Sequence, residues 1–394
     1  MGKAFTYKEL QEMWQRPPER QIAIAQAKVL EAILKAKGKI QIFWSGGKDS
    51  TFLLYLYCMV VSDLDDYKQK PIDVVFADTT NETKGIYDFI KFYPGWLESK
   101  FGVKINLKTV RPEKCYIDDN GKRKRKPTTM VEVTKEVGVP ILSKETAKAI
   151  SDVRKSMKSN GIKYFQIENH LEPTAENRDY LWSLGLNKSS TLALLGWSCK
   201  SNKFGKRRLI AKKYRPMLWD DAPEISSECC NKLKKEPIHR IKYNGVQMTG
   251  EMAEESELRK QRYLDTGCNG AILPNGTGVS KPLGAMTNQA LLLGIKFYNV
   301  PISNDYGTIV EENHCLKCSG EQRTGCTLCG FGIMYDWERF TRLQQLEPAK
   351  IKYAFTPKSE GGLGYLEVCE YLNKHCKCKI KIPEIHRKEG EQND

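Results

Sequence analysis

Residues 40–61 decide the fold and read IQIFW-SGGKDS-TFLLYLYCMVV. The first five residues predict a short buried strand, the next six a tight polar loop, and the apolar remainder a helix packed on a sheet. Two glycines let backbone N–H groups approach an anion closely, and the start of a helix adds a partial positive charge. The loop Ser45-Gly46-Gly47-Lys48-Asp49-Ser50 is therefore predicted to bind phosphate, with two serine hydroxyls and the Lys48 charge as further donors.

Strands and helices alternate after this loop. We predict strands at residues 40–44, 72–77 and 103–110, with a helix around residues 84–92 between the last two. Strands that alternate with helices of this length are typical of a parallel sheet with helices on both faces. The predicted fold class is therefore α/β, with a doubly wound and mostly parallel sheet.

Polar residues follow the second and third predicted strands. Asp78 and Thr79 come directly after residues 72–77, and Arg111 follows residues 103–110. In parallel sheets of this kind, ligands bind beyond the carboxyl ends of the strands. We therefore expect these three residues to contact the same ligand as the 45–50 loop.

The domain organisation is predicted as four consecutive segments. A helical segment covers residues 1–37 and contains one long helix over residues 8–37. A nucleotide-binding α/β domain covers 38–310, a Cys-rich module 311–335, and a C-terminal segment 336–394. Residues 118–127 are polar and basic and are predicted to form an exposed loop inside the α/β domain.

The chain of 394 residues carries a formal net charge of +15. Such an excess attracts polyanions and is compatible either with a nucleic-acid partner or with a basic surface around a nucleotide site. No signature of a nucleic-acid-binding module accompanies it. The positive charge is densest in three places: residues 122–126, Lys206-Arg207-Arg208, and Lys232 with Lys234 and Lys235.

Export and membrane insertion are not indicated. The longest wholly apolar run, residues 52–61, is too short to span a bilayer, and the N-terminus lacks the apolar core of a signal peptide. Thirteen cysteines without an export signal predict reduced thiols or metal ligands. We therefore expect a cytoplasmic protein with no membrane partner.

Four of these cysteines form a regular array. Cys315 and Cys318 make one C-x-x-C pair, and Cys326 and Cys329 make a second pair after seven intervening residues. By its spacing alone, such an array indicates a tetrathiolate site, for which structural zinc is the usual occupant.

The 45–50 loop resembles the Ser-Gly-Gly-x-Asp-Ser signature of the PP-loop ATP pyrophosphatases, and later segments resemble one branch of them, the phosphoadenosine phosphosulfate (PAPS) reductase family. The similarity covers about residues 38–335. It is carried, in order, by Val75 to Thr83, Val110-Arg111-Pro112-Glu113, Cys229 to Pro237, Gly250 to Arg259, Pro282-Leu283, Asn304-Asp305-Tyr306-Gly307 and Gly325-Cys326-Thr327-Leu328-Cys329.

The resemblance implies an adenine nucleotide as ligand: ATP, adenylyl sulfate (APS) or PAPS. Lys48, Asp49 and Ser50 are the implied catalytic residues, and Asp49 either orients the loop or binds Mg²⁺ if ATP is the substrate. The implied nucleotide contacts are Ser45, Gly46, Gly47, Lys48, Ser50, Asp78, Thr79, Arg111, Lys234 and Arg259.

The resemblance also implies a second set of metal ligands. In the cluster-containing reductases, an adjacent cysteine pair and a Gly-Cys-x-x-Cys pair hold a [4Fe–4S] cluster. The corresponding residues here are Cys229, Cys230, Cys326 and Cys329. Because the zinc and iron–sulfur assignments share Cys326 and Cys329, they exclude each other as complete sites.

Two departures from the family bear on activity. Met252 stands where the family has an arginine, and no C-terminal Glu-Cys-Gly-Leu-His segment is present, so the reductase nucleophile is missing. Cys376 and Cys378, with their basic neighbours, are the remaining candidates for that role.

The function predicted first is therefore ATP pyrophosphatase chemistry coupled to sulfur transfer, as in the related branch that serves DNA phosphorothioation or tRNA thiolation. A sulfur donor and a nucleic-acid acceptor are the implied partners. The alternatives are an APS or PAPS reductase that uses a thioredoxin-like donor, and a non-catalytic nucleic-acid-binding protein.

Overall fold

The computed structural model describes residues 4–205, 209–323 and 325–384. The basic residues Lys206, Arg207 and Arg208 lie outside this part.

The strands are β1 Ile40–Phe43, β2 Ile72–Ala77, β3 Ile105–Val110, β4 Glu113–Ile117, β5 Arg123–Pro127, β6 Ile141–Leu142, β7 Trp197–Ser198, β8 Lys203–Phe204, β9 Val246–Thr249, β10 Ala271–Ile272, β11 Gly278–Ser280, β12 Ile309–Glu312, β13 Cys315–Cys318 and β14 Gly330–Phe331. The α-helices are α1 Tyr7–Trp14, α2 Pro18–Lys35, α3 Lys48–Ser62, α4 Asp65–Lys68, α5 Lys84–Phe101, α6 Met130–Val137, α7 Lys144–Ser159, α8 Ala175–Ser183, α9 Lys188–Leu195, α10 Glu228–Cys230, α11 Glu236–His239, α12 Glu257–Thr266, α13 Asn288–Phe297, α14 Arg339–Leu346, α15 Pro348–Phe355 and α16 Tyr365–Cys376.

The chain forms two compact units, and each is discontinuous in sequence. The described residues of Met1–Asp78, Glu82–Arg111 and Pro237–Gly325 form the first unit. Those of Thr79–Asn81, Pro112–Glu236 and Cys326–Asp394 form the second. The predicted domains were continuous segments, because composition along the chain does not show that the chain leaves a unit and returns to it.

The first unit contains a six-stranded sheet in the order β10-β11-β9-β1-β2-β3. Strand β1 pairs in parallel with β2 on one side, through Ile42 and Val74, and with β9 on the other, through Ile42 and Met248. Strands β2 with β3 and β9 with β11 are also parallel, and only β10 with β11 is antiparallel. This confirms the mixed α/β class with a mostly parallel sheet.

Strand β1 is the point where the strand order reverses. The chain moves outward from β1 to β2 and β3 through α3 and α5, whereas β9 and β11 lie on the other side of β1. In open sheets, ligands bind beyond the carboxyl ends of the strands at such a reversal. The loop that follows β1 is residues 45–50, so the topology places the predicted phosphate loop there.

Helix α3 is buried on several faces because it carries few polar residues. Phe52, Leu53, Leu54, Leu56 and Cys58 are fully buried and pack in the core of the first unit. A helix that is apolar nearly all round gains most of its stability from such packing.

The helix predicted over residues 8–37 is in fact two helices, α1 and α2. Pro17 and Pro18 interrupt it, because a proline lacks the N–H that a continuous helix needs and restricts the residue before it. Pro18 instead occupies the first turn of α2, where proline is tolerated.

The second unit has its own apolar core and only short strand pairs. Helices α6, α7, α9 and α16 contribute fully buried residues to this core, among them Val153 and Leu372. Strands β6 and β14 pair in parallel, and β7 with β8 and β4 with β5 form antiparallel pairs.

The prediction of an exposed loop at residues 118–127 is wrong for residues 123–127, which form strand β5, whereas residues 118–122 do connect β4 to β5. Strands β4 and β5 form an antiparallel hairpin in which Glu113 pairs with Pro127 and Ile117 with Arg123. The polar sequence was taken for a loop because no apolar face alternates along it. The ladder forms although none of its residues is buried.

In the part of the chain that the structure describes, no helix combines the length and the hydropathy needed to cross a membrane.

Candidate functional site

The 45–50 loop is anchored at both ends by Trp44. The Trp44 backbone N–H donates to the Val75 carbonyl at 2.9 Å, which fixes the end of β1 against β2. Its indole Nε1 donates to Thr51 Oγ1 at 3.0 Å, which fixes the start of α3. The loop between these points is therefore held in one shape before any ligand binds.

Two serines close the loop from within. The Ser50 hydroxyl donates to the Gly47 carbonyl at 3.0 Å and accepts from the Ser45 backbone N–H at 3.2 Å, and the two serine hydroxyls lie 3.1 Å apart. Gly46 has a φ of +73°, a conformation that glycine adopts without strain. No side chain caps α3, whose N-cap residue is Gly47. The helix start thus presents backbone donors and its partial positive charge.

Lys48 is buried. Only 6% of the residue is exposed, because Tyr306 and Gln322 cover it. Its Nζ donates to the Gln322 carbonyl at 3.0 Å, and its backbone N–H donates to the Tyr306 hydroxyl at 3.0 Å. A desolvated ammonium group interacts more strongly with an incoming anion than an exposed one does.

Asp49 carries a buried oxygen without a hydrogen bond. Its Oδ1 atom has no hydrogen-bond partner among the described residues, and the nearest cation is Lys48 Nζ at 3.6 Å. A buried carboxylate oxygen in this situation is suited to a divalent cation, and Mg²⁺ commonly binds through one or two carboxylates plus the substrate phosphates. Asp49 therefore fits the predicted Mg²⁺ role.

Gly250 lets the end of β9 approach the start of α3. A Cβ atom at this position would lie 3.0 Å from the Asp49 carbonyl carbon and 3.0 Å from the Ser50 backbone nitrogen. Backbone atoms cannot move aside as a flexible side chain can. The absence of a side chain at Gly250 is therefore required for this wall of the site.

A pocket of about 360 Å³ opens beside Lys48 and Asp49. This volume is within the range of small-molecule sites. Met252 forms part of its wall and is buried in the core. Arg323 also lines the pocket, although no sequence motif assigned it a role. Arg323 supplies a cation to the pocket, whereas the uncharged Met252 side chain does not.

Arg259 lies close enough to Asp49 to interact with its carboxylate. Its guanidinium group forms an ion pair with Glu255. Burial lowers the pKa of Arg259, while the charges of Glu251 and Asp49 act in the opposite direction. Arg323 also lowers the pKa of Arg259, so two arginines share this neighbourhood of the first unit.

Asp78 is a buried carboxylate that holds two neighbours. It accepts hydrogen bonds from Arg111 Nε at 2.9 Å and from the Tyr87 hydroxyl at 2.8 Å. Burial and this hydrogen bond to Asp78 raise the pKa of Tyr87. The Arg111 side chain remains 69% exposed. Asp78 therefore orients Arg111, the group of this pair that is open to a ligand.

Thr79 and Lys234 belong to the second unit. The Thr79 hydroxyl accepts a hydrogen bond from Cys326 Sγ at 3.3 Å. Lys234 is exposed on the π-helical turn Asn231–Lys235, which directly follows the adjacent cysteine pair. The structure thus places both residues next to cysteines of the predicted iron–sulfur site.

Cys229, Cys230, Cys326 and Cys329 all lie in the second unit, and the other three thiols affect the pKa of Cys229. A hydrogen bond with Cys230 raises the pKa of Cys229, burial raises it further, and Cys329 and Cys326 add to the effect. The hydrogen bond with Cys229 lowers the pKa of Cys230, and Lys144 and Lys234 lower it further, although burial opposes them. A thiolate is the form that binds metals.

No group of three or more Cys, His, Asp or Glu side chains, within the described ranges, has the arrangement of a site for a metal ion. Of the zinc array, Cys315 and Cys318 are at the two ends of β13 in the first unit, whereas Cys326 and Cys329 belong to the second. Both metal assignments therefore stay predictions.

The cysteines near the C-terminus are core residues. Cys369 and Cys376 are fully buried, and Cys378 is 6% exposed. Burial raises the pKa of Cys376 to about 12 and also raises that of Cys378. Cys376 ends α16 and Cys378 follows it, and both pack in the apolar core of the second unit. As buried neutral thiols they are poor nucleophiles.

No protein-family model and no curated protein matches the chain. Fourteen chains of solved structures are similar to it. One is the PAPS reductase from Candida auris in complex with phosphate, at 12% sequence identity and a TM-score of 0.30, over 80% of this chain and 100% of that one. A TM-score of this size carries no inference about activity.

Proposed function

We propose that this protein is an adenine-nucleotide-dependent enzyme of sulfur metabolism. In this proposal it splits ATP between the α and β phosphates, activates an acceptor as its adenylate and replaces an acceptor oxygen with sulfur. The observation that carries the proposal is the 45–50 loop, a glycine-containing turn at the start of α3 and at the reversal of strand order, which contains a buried lysine and a buried carboxylate oxygen without a hydrogen bond.

The loop supports recognition of phosphate. Backbone N–H groups at the uncapped start of α3 and the Ser45 hydroxyl would be donors to a bound phosphate, and the Lys48 ammonium group lies within the same turn. Preorganised donors of this kind stabilise charge that develops on phosphate oxygens in the transition state. Arg323 and Arg259 are further cations for the nucleotide phosphates.

Asp49 supports ATP over a sulfonucleotide as the substrate. Its buried oxygen has no hydrogen-bond partner among the described residues and is suited to Mg²⁺, the ion that accompanies ATP. Bound there, Mg²⁺ would supply positive charge beside the nucleotide phosphates. The carboxylate would hold the ion, and Lys48 would contact the phosphates.

The proposed reaction has two displacements and needs no external oxidant or reductant. In the first, an oxygen of the acceptor attacks the α phosphorus of ATP, the bond from phosphorus to the bridging oxygen breaks, and pyrophosphate leaves with the electron pair. In the second, a hydrosulfide-level donor attacks the activated atom of the acceptor, and AMP leaves with the former acceptor oxygen. The donor proton passes to solvent.

The four interacting cysteines of the second unit support a [4Fe–4S] site as the preferred metal assignment. Their thiols influence one another's pKa, and the lysines next to Cys230 favour its thiolate. When bound, such a cluster would supply redox-active iron. The chain's own contribution is the thiolate at Cys230 and the Thr79 hydroxyl, which lies 3.3 Å from Cys326 Sγ.

The reductase alternative is less well supported. A sulfonucleotide reductase needs a thiolate that reaches the bound sulfate. Cys369, Cys376 and Cys378 are buried, and burial raises the pKa of each. The burial of these three thiols indicates a structural role in the core.

Nucleotide affinity tests the proposal. Lys48→Met keeps the apolar stem of the buried side chain and removes its charge, and Lys91→Ala removes an exposed charge from α5 as a control. We expect Lys48→Met to weaken ATP binding by about 10- to 150-fold, since a charge-assisted contact contributes about 1.5–3 kcal/mol. Ser45→Ala should have a smaller effect in the same direction.

Calorimetric titration with ATP and Mg²⁺ measures this difference, and circular dichroism checks that each variant is folded. An ATP affinity of folded Lys48→Met equal to that of Lys91→Ala would remove the 45–50 loop as the phosphate site.

A further inference from the structure

The β4–β5 hairpin has no apolar core beneath it. Every residue of β5 is exposed, and in β4 only Lys114 is half-buried. A two-stranded hairpin on its own is marginally stable in water. Neither the core of the second unit nor the nucleotide pocket explains why these ten residues form an exposed ladder.

The register divides the hairpin into two faces. Residues directly opposite each other share a face, and the face changes with each step along a strand. Lys114 and Tyr116 lie on one face with Lys126 and Lys124. The other face, which we call the arginine face, comprises Glu113, Cys115, Ile117, Arg123, Arg125 and Pro127.

The charges of the lysine face have partners. Lys114 pairs with Glu132 at 2.9 Å, and Lys124 pairs with Asp118 at 2.8 Å. The Lys126 ammonium group lies 5.4 Å from the centre of the Tyr116 ring. This face therefore offers little charge to an external partner.

The two guanidinium groups of the arginine face are open. No carboxylate pairs with Arg123 or Arg125 among the residues that the structure describes, and the neighbour they share is the Cys115 thiol, 3.5 Å from Arg123 Nη2. Ile117 beside them is 74% exposed. The acidic member, Glu113, is opposite Pro127 at the other end of the ladder from Arg123.

From this arrangement we propose that the arginine face of the β4–β5 hairpin binds duplex DNA, with the two guanidinium groups on backbone phosphates. Arginine presents a planar fork that matches phosphate oxygens, and Arg123 and Arg125 project from the same side of one strand. The charge of the surrounding sequence agrees, since residues 112–236 contain 26 Lys and Arg against 16 Asp and Glu. The proposal rests on the proposed function for its biological meaning, because DNA would then be the acceptor of sulfur.

The shape of the hairpin favours duplex DNA over other nucleic acids. The major groove of B-DNA admits a two-stranded β-ribbon, whereas that of an A-form RNA duplex is too narrow and deep. Single strands are held mainly by stacking of bases on aromatic rings. The aromatic residue of this hairpin, Tyr116, is on the opposite face, where the Lys126 ammonium group lies over its ring.

The salt dependence of DNA binding tests the proposal without nucleotide. The full-length variant Arg123→Gln/Arg125→Gln removes two charges from the arginine face. The control Lys374→Gln/Lys379→Gln removes two exposed charges elsewhere in the second unit. Fluorescence anisotropy with a labelled 20-base-pair duplex, over about 50–200 mM salt, gives the affinity and its slope against salt for each protein.

We expect the arginine variant to bind roughly 10- to 100-fold more weakly near 0.1 M salt, with a slope smaller by about 2, because each lost phosphate contact removes nearly one released counterion. The control variant should differ little from the wild type. Equal losses in both variants, absence of binding by the wild type, or equal affinity for an RNA duplex of the same sequence would each overturn the proposal.

Chemical protection of Cys115 locates the contact independently. Bound duplex should slow alkylation of Cys115, which lies between the two arginines, and leave exposed Cys315 of the first unit unchanged. Unchanged alkylation of Cys115 at saturating DNA would overturn the proposal. The affinity for ATP measured without DNA is expected to be the same in the arginine variant as in the wild type. A wild type that binds DNA but does not split ATP would therefore contradict the proposed function alone.

Discussion

At the scale of single residues, the sequence predicts identities better than environments. Ser45, Lys48 and Asp49 were expected in a phosphate loop from their pattern, and the structure places them at the start of α3. It could not be predicted that Lys48 is buried, because Tyr306 and Gln322, which cover it, are distant in sequence. The lack of a hydrogen bond at the buried oxygen of Asp49 likewise depends on surroundings that no local pattern reveals.

Cys115 provides a test of electrostatics at this scale. Hydrogen bonds from Arg123 and Arg125 lower the pKa of Cys115, so a larger fraction of this thiol is deprotonated at any given pH. The pH profile of its alkylation by iodoacetamide should therefore be displaced to lower pH. Arg123→Gln/Arg125→Gln should move the profile back to higher pH and slow the reaction at neutral pH. Mass spectrometry of the Cys115 peptide measures both, and identical profiles in the two proteins would contradict the assigned cause.

At the scale of elements, the strands and helix around the loop were predictable because the pattern is local. Strand β2 has the predicted bounds, and β1 differs by one residue. The pairing of β1 with β9 was not predicted, since β9 returns to the sheet after the chain has passed through the second unit. The reversal of strand order at β1 follows from that pairing and is the strongest structural argument for the position of the site.

Gly250 tests the junction between β9 and α3. In Gly250→Ala the new methyl group would lie 3.0 Å from backbone atoms of Asp49 and Ser50, so we expect a loss of about 1–3 kcal/mol in unfolding free energy and weaker ATP binding. Gly95→Ala in α5 is the matched control, because a Cβ there meets nothing within 4 Å. It should be neutral or stabilising, by up to about 1 kcal/mol. Denaturant titration and ATP affinity give the comparison, and equal behaviour of the two variants would show that the close approach has no consequence.

At the scale of the whole molecule, the sequence indicated the fold class and not the two units. Four cysteines from two distant segments, residues 229–230 and 326–329, belong to the second unit. Their grouping was implied by a family resemblance and not by spacing, since spacing favours the array that begins at Cys315. The hairpin at residues 113–127 was missed because its strands pair without burying an apolar face.

Metal content separates the two cysteine assignments. Protein purified without oxygen is expected to be brown and to contain iron and sulfide, and Cys230→Ser should lose both, since it removes a thiolate that the iron–sulfur site requires. Cys199→Ser, at an exposed position in the same unit, is the control and should keep its iron. A colourless protein with one zinc per chain that is retained in Cys230→Ser would support the array of Cys315, Cys318, Cys326 and Cys329 instead.

The most direct test of the proposed function is a comparison of products from two nucleotides. Anaerobically purified protein is incubated with ATP, Mg²⁺ and duplex DNA, and separately with adenylyl sulfate and a thioredoxin system, and pyrophosphate and sulfite are measured. We predict pyrophosphate from ATP, its loss in Lys48→Met, and little or no sulfite. Sulfite formation from adenylyl sulfate without pyrophosphate release from ATP would contradict the account.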